Sequence, residues 1–281
     1  MSDNAIARKE QKSSAKTLGV MVLRLAKNDF KAKFAGSYMG ILWTFLQPVV
    51  MILVYWFVFE KGLPATGVTT KSGITVPFVL WLTAGMVPWF YFSEAFSSGT
   101  NTLLEYSYLV KKVVFKIDVL PLVKVISSGV VHVILIGIML ILYAAYGFFP
   151  DLYSLQVVYY SLCMVFLVLG AVTITCSIVV FFRDMSQIVN IFMQVWVWVT
   201  PIMWNLDGMT AAGSISPIVA RIFKLNPFYY IVSGYRDALI YKTGFWEKPG
   251  LTLYFWIFVI VQLLLGRLIF KRLKPHFADV L

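Results

Sequence analysis

The sequence predicts an all-α integral membrane protein with six transmembrane helices, an N-terminal amphipathic interface helix and a re-entrant helical hairpin before the last span. The chain of 281 residues is 60% hydrophobic and only 13% charged, and its mean hydropathy is +0.81. Soluble domains carry about 25% charged residues. Apolar stretches of about 20 residues, the length that crosses a bilayer, recur along the chain. A water-soluble fold could not bury this much apolar surface.

Six apolar stretches are long enough to serve as spans. They cover residues 38–59, 77–96, 119–146, 155–182, 188–204 and 251–270. Six crossings place both termini on the same side of the membrane. Seventeen of the 24 Lys and Arg residues fall in segments on that side and seven on the other. The positive-inside rule therefore assigns both termini to the cytoplasm.

The basic character of the chain does not indicate nucleic-acid binding. The formal net charge is +11, but the Lys and Arg residues lie at the ends of apolar stretches and do not form one basic face. The polar, basic residues 1–16 also lack the apolar core of a secretory signal peptide. We therefore expect a cytoplasmic N-terminus with the interface helix over residues 1–37 and a six-span domain over 38–281.

Residues 18–34 are predicted to form a moderately amphipathic helix. Arg24, Lys27 and Lys31 share one helical face. Beside it lies an apolar face formed by Leu23, Ala26, Phe30 and Phe34. A helix of this kind is expected to lie in the cytoplasmic membrane interface.

Residues 216–241 are apolar and aromatic but are interrupted by Asn226-Pro227. Proline ends or kinks a helix, and each half is too short to span a bilayer. A pair of half-helices that dip into the outer leaflet, buried against protein, fits this segment best.

Polar and small side chains recur along one face of the first and fifth spans. In the first span these are Gly40, Thr44, Gln47, Met51 and Tyr55, and in the fifth they are Gln187, Asn190, Gln194 and Pro201. Such residues either hold helices together or line a conduit whose hydroxyl and amide groups pass hydrogen bonds to a sliding polar substrate. Trp43, Tyr55 and Trp198 add aromatic faces on which sugar rings stack. The candidate channel lining is Tyr38, Trp43, Thr44, Gln47, Met51, Tyr55, Gln187, Asn190, Gln194 and Trp198.

Few residues inside the spans are ionisable. Glu94 in the second span is expected to point into the protein, because a carboxylate in lipid is costly. His132 in the third span is interpreted as a hydrogen-bonded core histidine. Cys163 and Cys176 lie thirteen positions apart in one span, too far apart to form a disulfide, and are interpreted as small buried residues. The sequence has no metal-ligand cluster.

The loop after the second span holds a short helix candidate that exposes Leu104, Tyr108 and Leu109, which favours a docking site for a partner. The chain contains no G-x-x-x-x-G-K-[ST], H-E-x-x-H or G-x-S-x-G motif. It is therefore not expected to be an enzyme, and any ATPase must be another chain.

Several segments together resemble one family, the permeases of ABC exporters for bacterial polysaccharides, which include O-antigen, capsule and teichoic-acid exporters. The segments that carry the resemblance are Asp29-Phe-Lys-Ala-Lys-Phe-Ala-Gly-Ser-Tyr-Met-Gly-Ile-Leu-Trp43 with Pro48, Leu109-Val-Lys-Lys-Val-Val-Phe115 with Leu120-Pro121, Phe182-Arg-Asp-Met185 with Thr200-Pro-Ile202, and Asn226-Pro-Phe228 with Arg236-Asp237. The resemblance extends over nearly the whole chain. Each segment alone is weak, but their order and spacing are specific.

The resemblance implies a homodimer that binds two ABC ATPase subunits, which hold the ATP and Mg²⁺, in a bacterial inner or plasma membrane. Residues 18–34 would form a gate helix and residues 103–114 the coupling helix, with Leu103, Leu104, Tyr108, Leu109, Lys111 and Lys112 as coupling residues. The implied cargo is a polymer on a polyprenyl pyrophosphate lipid. Its anionic headgroup, or ordinary anionic lipid, would meet Arg24, Lys27, Lys31 and Lys33.

Two alternatives to polysaccharide export remain from the sequence. The first is an ABC exporter of small amphiphiles or drugs, which would have the same architecture. The second is a membrane-embedded transferase acting on polyprenyl lipids, which would need paired acidic residues near the membrane surface. Glu94, Glu105, Asp118 and Asp184 are the acidic residues that approach this requirement, but they have no paired spacing.

Overall fold

A computed structural model describes residues 2–33, 38–62, 68–69, 73, 75–111 and 116–281 of the chain. The fold is a bundle of helices. The helices are α1 (Ser2–Lys33), α2 (Leu42–Trp56), α3 (Phe78–Thr100), α4 (Thr102–Glu105), α5 (Ser107–Val110), α6 (Leu120–Ala145), α7 (Gln156–Val179), α8 (Met185–Val199), α9 (Leu206–Ala211), α10 (Pro217–Lys224), α11 (Pro227–Arg236), α12 (Pro249–Leu273) and α13 (Phe277–Val280).

The connections between these helices contain shorter elements. A small antiparallel hairpin, β1 (Val68–Thr69) and β2 (Thr75–Val76), lies between α2 and α3 and pairs Val68 with Val76. This hairpin was not predicted from the sequence. Wide helical turns extend α2 over Phe57–Gly62 and α11 over Asp237–Tyr241.

Within the described residues, four helical stretches are long and apolar enough to cross a membrane. They are Leu42–Phe59, Ile117–Ala145, Leu152–Val179 and Pro249–Val280. They coincide with the predicted first, third, fourth and sixth spans. The chain is thus a multi-pass membrane protein. The predicted fifth span corresponds to the 15-residue helix α8, which ends where Thr200 adopts an extended conformation.

The predicted second span corresponds to α3, which lies at the centre of the bundle. Its 23 residues are buried along most of their length, and α2, α6, α7, α8 and α11 all pack around it. Close packing depends on small residues: a Cβ added at Gly99 would lie 2.6 Å from the Val172 side chain of α7. Because neighbouring helices cover it, α3 tolerates the Trp, Tyr and Ser residues that lower its hydropathy.

Helix α1 packs against the first turns of α6. Val22 and Ala26 form a small buried cluster with Val119 and Val123, with Leu18, Met21, Leu25, Leu122 and Ile126 around it. The face predicted to be apolar is therefore partly wrong, because Leu23 is exposed on the other side of α1. The covered face is formed by the residues at positions 18, 22, 26 and 29. Their spacings of three and four residues match the period of an α-helix.

The break predicted at Asn226-Pro227 separates two short helices. The Asn226 side chain accepts a hydrogen bond from the Phe228 amide at 2.9 Å and donates one to the Thr200 hydroxyl at 2.7 Å. It therefore caps α11 and ties it to the end of α8. Helix α11 is buried against the bundle, whereas α10 exposes Ile218 and Ile222.

Candidate functional site

The segment between α3 and α6 forms two short helices, α4 and α5. Tyr108 is 58% exposed, Lys111 is also exposed, and Leu104 and Leu109 are half-buried. Leu103 is fully buried. Its side chain supports this segment from inside, so the prediction that it contacts a partner needs correction. Lys112 lies outside the described residues.

A charged cluster links this segment to α1 and α6. The Tyr106 hydroxyl donates to Asp29 Oδ1 at 2.6 Å, and Lys124 Nζ lies 2.7 Å from Asp29 and 2.6 Å from Glu105. The side chains of Lys124 and Asp29 are only 11% and 9% exposed. One lysine thus joins α1, α4 and α6 in an ion-pair network whose Asp29–Lys124 pair is largely buried.

The electrostatics of this cluster keep Asp29 ionised. Burial by itself would raise the pKa of the Asp29 carboxyl. Hydrogen bonds from Lys124 and Tyr106 together lower this pKa by more than burial raises it, so the pKa lies below its ordinary value. Burial, together with the hydrogen bond to Asp29, raises the pKa of the Tyr106 hydroxyl. At neutral pH Asp29 is therefore a carboxylate, Lys124 is protonated and Tyr106 is neutral.

The four residues predicted to meet a lipid headgroup have two different environments in the structure. Arg24, Lys27 and Lys31 are exposed on the outer face of α1. Lys33, at the end of α1, forms an ion pair with Glu94 of α3. Three of the four cations are thus available to an anionic surface, and the fourth ties the end of α1 to the centre of the bundle.

The polar stripe on α2 faces a cavity of about 460 Å³ between α2, α3 and α6. Trp43, Thr44, Gln47 and Met51 contribute to its wall. Tyr38 is fully exposed, and Tyr55 packs against the hydrophobic core. The sequence predicted that this stripe and that of the fifth span both belong to one channel lining. In the structure α3 and α6 form the opposite wall of this cavity.

The stripe on α8 divides between two environments. Asn190 accepts a hydrogen bond from the Ser97 hydroxyl of α3 at 2.7 Å, which fits the interpretation that it holds helices together. Gln187 and Gln194 are exposed, and Trp198 is 57% exposed. Three of the four candidate lining residues on α8 therefore present polar or aromatic groups on a face that this chain leaves uncovered.

The ionisable residues that the sequence predicted inside the second and third spans, Glu94 and His132, both border the cavity beside α2. Glu94 lines it and pairs with Lys33. His132 is 4% exposed, its Nε2 lies 2.9 Å from the Tyr235 hydroxyl, and its ring stacks on Tyr91. His132 is thus held in place by aromatic and hydrogen-bonding contacts.

Arg236 is a residue for which the sequence predicted no individual role. Its guanidinium is buried and donates to the backbone carbonyls of Pro201 at 2.8 Å, Ile202 at 2.6 Å and Trp81 at 3.4 Å. It also lies 3.3 Å from the centroid of the Trp81 ring. These contacts fix α11 against the end of α8. The resemblance included Arg236-Asp237 as a motif, and a buried arginine in an apolar segment is itself a signal of a specific contact.

Comparison with known proteins gives two findings. Residues 21–240 match the family model described as ABC-2 type transporter. The chain is also similar to proteins named O-antigen export system permease protein RfbA. One from Myxococcus xanthus is 29% identical over 79% of this chain and 80% of the relative. Two from Klebsiella pneumoniae are each 25% identical over 93% of this chain and 95% of the relative.

Proposed function

This chain belongs to the ABC-2 type transporter family, and we propose that it is the permease subunit that moves a polyprenyl-pyrophosphate-linked polysaccharide out of the bacterial cytoplasm. It is a transport subunit, and ATP hydrolysis takes place in a separate ABC ATPase chain. The names of the relatives support a polysaccharide cargo of the O-antigen, capsule or teichoic-acid type. The relatives match most or nearly all of this chain, which supports the same transport function for the chain and these relatives.

The observation that carries this proposal is the uncovered polar face of α8. Gln187, Gln194 and Trp198 recur at the helical spacing along one exposed strip of α8, beside exposed apolar residues such as Ile188 and Val195. Polar side chains within a membrane face a protein interior or a water-filled path, because lipid cannot hydrogen-bond with them. A second copy of the chain is the natural cover for this face. We infer a homodimer in which such faces enclose a polar conduit for the glycan.

The six-span arrangement is part of the proposal. Helix α3 has 23 residues, about 34 Å at 1.5 Å per residue, which is enough to cross the hydrocarbon core. Together with α8 it would raise the number of crossings from four to six. The distribution of Lys and Arg then favours cytoplasmic termini in the inner or plasma membrane. Helices α10 and α11 would dip into the outer leaflet as the re-entrant hairpin.

We also propose that α4 and α5 are the surface on which one of two ATPase subunits docks, with ATP and Mg²⁺ held by that subunit. Leu104, Tyr108, Leu109 and Lys111 offer apolar, aromatic and charged groups there. Because the Tyr106–Asp29 hydrogen bond links this segment to α1, a movement of the docking surface would reach the interface helix directly. Anionic lipid or substrate would meet the exposed cations of that helix.

Changing Tyr108 to Asp tests the docking surface. An exposed aromatic anchor at an interface contributes about 2 kcal/mol or more, so we expect co-purification of the ATPase subunit to weaken roughly 30-fold. Tyr146→Asp is the matched control, since Tyr146 is 47% exposed at the other end of α6. Equal recovery of the ATPase with both variants would contradict the assignment.

Deleting the gene tests the function as a whole. We expect the glycan to accumulate inside the cell while sensitivity to drugs stays unchanged. Glycan at the cell surface in the deletion strain would contradict polysaccharide export, and raised drug sensitivity would favour the exporter of small amphiphiles.

Changing Trp198 to Ala tests the conduit in the complemented strain. A lost aromatic contact of about 1 kcal/mol corresponds to a roughly fivefold decrease in glycan export, with an unchanged amount of protein in the membrane. Trp246→Ala is the matched control, because Trp246 is 61% exposed and lies outside α8. Normal export with Trp198→Ala would favour a lipid-facing position.

A further inference from the structure

The cavity between α2, α3 and α6 continues into a second chamber. The first chamber, of about 460 Å³, follows the polar stripe of α2. The second, of about 430 Å³, lies between α1, α3, α6 and the segment that contains α4 and α5, here called the docking segment. Lys33, Glu94, Ser128 and Val131 line both. The two chambers therefore adjoin at the Lys33–Glu94 ion pair, inside one protomer and away from the exposed stripe of α8.

The walls of the first chamber combine hydrogen-bonding groups with aromatic rings. The polar groups are Thr44, Gln47, Ser93, Glu94, Ser128 and His132. Trp43 and Trp89 contribute rings, and Trp43 is 53% exposed. Hydroxyl, amide and imidazole groups both donate and accept hydrogen bonds. Such a wall suits a ligand that also carries many donors and acceptors.

Two buried polar atoms in these walls have no hydrogen-bond partner in the described part of the chain. They are Nδ1 of His132 in the first chamber and the hydroxyl of Ser98 in the second. The opposite nitrogen of His132 is already engaged by Tyr235. A buried polar group without a partner is costly, and native proteins rarely leave one unsatisfied. Both atoms are therefore candidates to bind a polar ligand.

The charges of the walls argue against an anionic ligand. Lys33 is paired with Glu94, and Lys124 with Asp29 and Glu105. Two cations thus face three carboxylates around the second chamber. A diphosphate would have to compete with these carboxylates, whereas an uncharged polyol would not.

We propose that the two chambers form a binding site for sugar residues of the transported glycan. The inference rests on the proposed function and adds a location within each protomer. The sugar hydroxyls bind the polar groups of α2, α3 and α6, and a ring face stacks on Trp43 or Trp89. The volume of each chamber lies within the range of small-molecule sites.

Protection of an introduced cysteine tests the site. Thr44→Cys is labelled with N-ethylmaleimide in cells that make the glycan and in cells whose glycan synthesis is blocked. Cys163 and Cys176 are fully buried, so the parent chain gives little background. A site occupied about 80% of the time should slow labelling roughly fivefold. Ser93→Cys, on the opposite wall of the same chamber, serves as a second reporter if Thr44→Cys does not assemble.

Two control positions make the outcome decisive. Leu152→Cys, at a position 83% exposed in the turn between α6 and α7, should be labelled equally in both strains. Unchanged labelling of both Thr44→Cys and Ser93→Cys, together with protection of Gln187→Cys, would overturn the site and leave the proposed function intact. Protection of Thr44→Cys in vesicles by a polyprenyl diphosphate without sugar would overturn the sugar assignment. Normal export without this chain would instead remove the proposed function.

Discussion

Replacing Arg236 with Met is expected to lower the free energy of unfolding by about 3 kcal/mol, because buried carbonyls lose their donors and each unsatisfied group costs about 1–3 kcal/mol. The guanidinium donates to carbonyls of Pro201 and Ile202 and stacks on Trp81. For a chain of this size the loss corresponds to a fall of roughly 10 °C in the melting temperature. Thermal unfolding of the detergent-solubilised protein measures it.

The matched control for this substitution is Arg267→Met on α12. Arg267 is exposed near the end of that helix, so we expect its replacement to change the melting temperature little. Arg236→Lys should fall between the two, because an ammonium group cannot reproduce the fork of a guanidinium. An Arg236→Met protein as stable as the parent would show that Arg236 does not hold α11 against α8.

Replacing Asp29 with Ala is expected to destabilise the protein by about 3 kcal/mol, because Lys124 loses the buried one of its two carboxylate partners and breaking a buried ion pair is strongly destabilising. Lys124 would keep Glu105, whose side chain is 48% exposed, and Tyr106 would lose its acceptor. We also expect glycan export to fall more than ATP hydrolysis by the purified complex, since the link between the docking segment and α1 is cut. Thermal unfolding, export and ATP hydrolysis are the three measurements.

The effect of this substitution should depend on pH. The pKa of Asp29 is lowered in the folded protein, so its contribution is present above the unfolded pKa of about 3.9 and is lost as the pH falls through the folded value. At neutral pH the difference between Asp29→Ala and the parent is therefore complete.

Asp118→Ala is the control for the Asp29 substitution. It breaks the ion pair between Asp118 and Lys274, whose side chains are 56% and 40% exposed, and exposed pairs contribute about 1 kcal/mol or less. Equal losses of stability with the two variants would mean that burial does not strengthen the Asp29 network. A proportional loss of export and ATP hydrolysis in Asp29→Ala would argue against a role in coupling.

The structure sharpens the predictions made from helical periodicity. Four spans could be found from the sequence because each is a long apolar run. The break at Asn226-Pro227 could be found because proline cannot continue a helix. Periodicity was less reliable for α1, where it placed Leu23 on the apolar face. The partner helix α6 decides which side of α1 is covered, and a single helix does not reveal its partner.

The candidate site shows the same limit. The α2 stripe was recognised by its spacing, but only tertiary contacts put α3 and α6 opposite Thr44 and Gln47. Leu103 and Tyr108 lie five residues apart in one short loop, yet one is fully buried and the other is 58% exposed. Residue type does not distinguish them, because both are large and apolar enough for either place.

By itself the sequence determined that this is a polytopic helical membrane protein. Composition and the length of apolar runs are local properties, and the thickness of the bilayer core sets the length that a helical span must have. The sequence also determined the family, through short segments in a fixed order. Only the tertiary structure decided which polar groups meet. Lys124 with Asp29, Lys33 with Glu94, and Arg236 with the end of α8 are contacts between residues 34 to 95 positions apart. Such contacts depend on how the helices pack around α3, which no local pattern encodes.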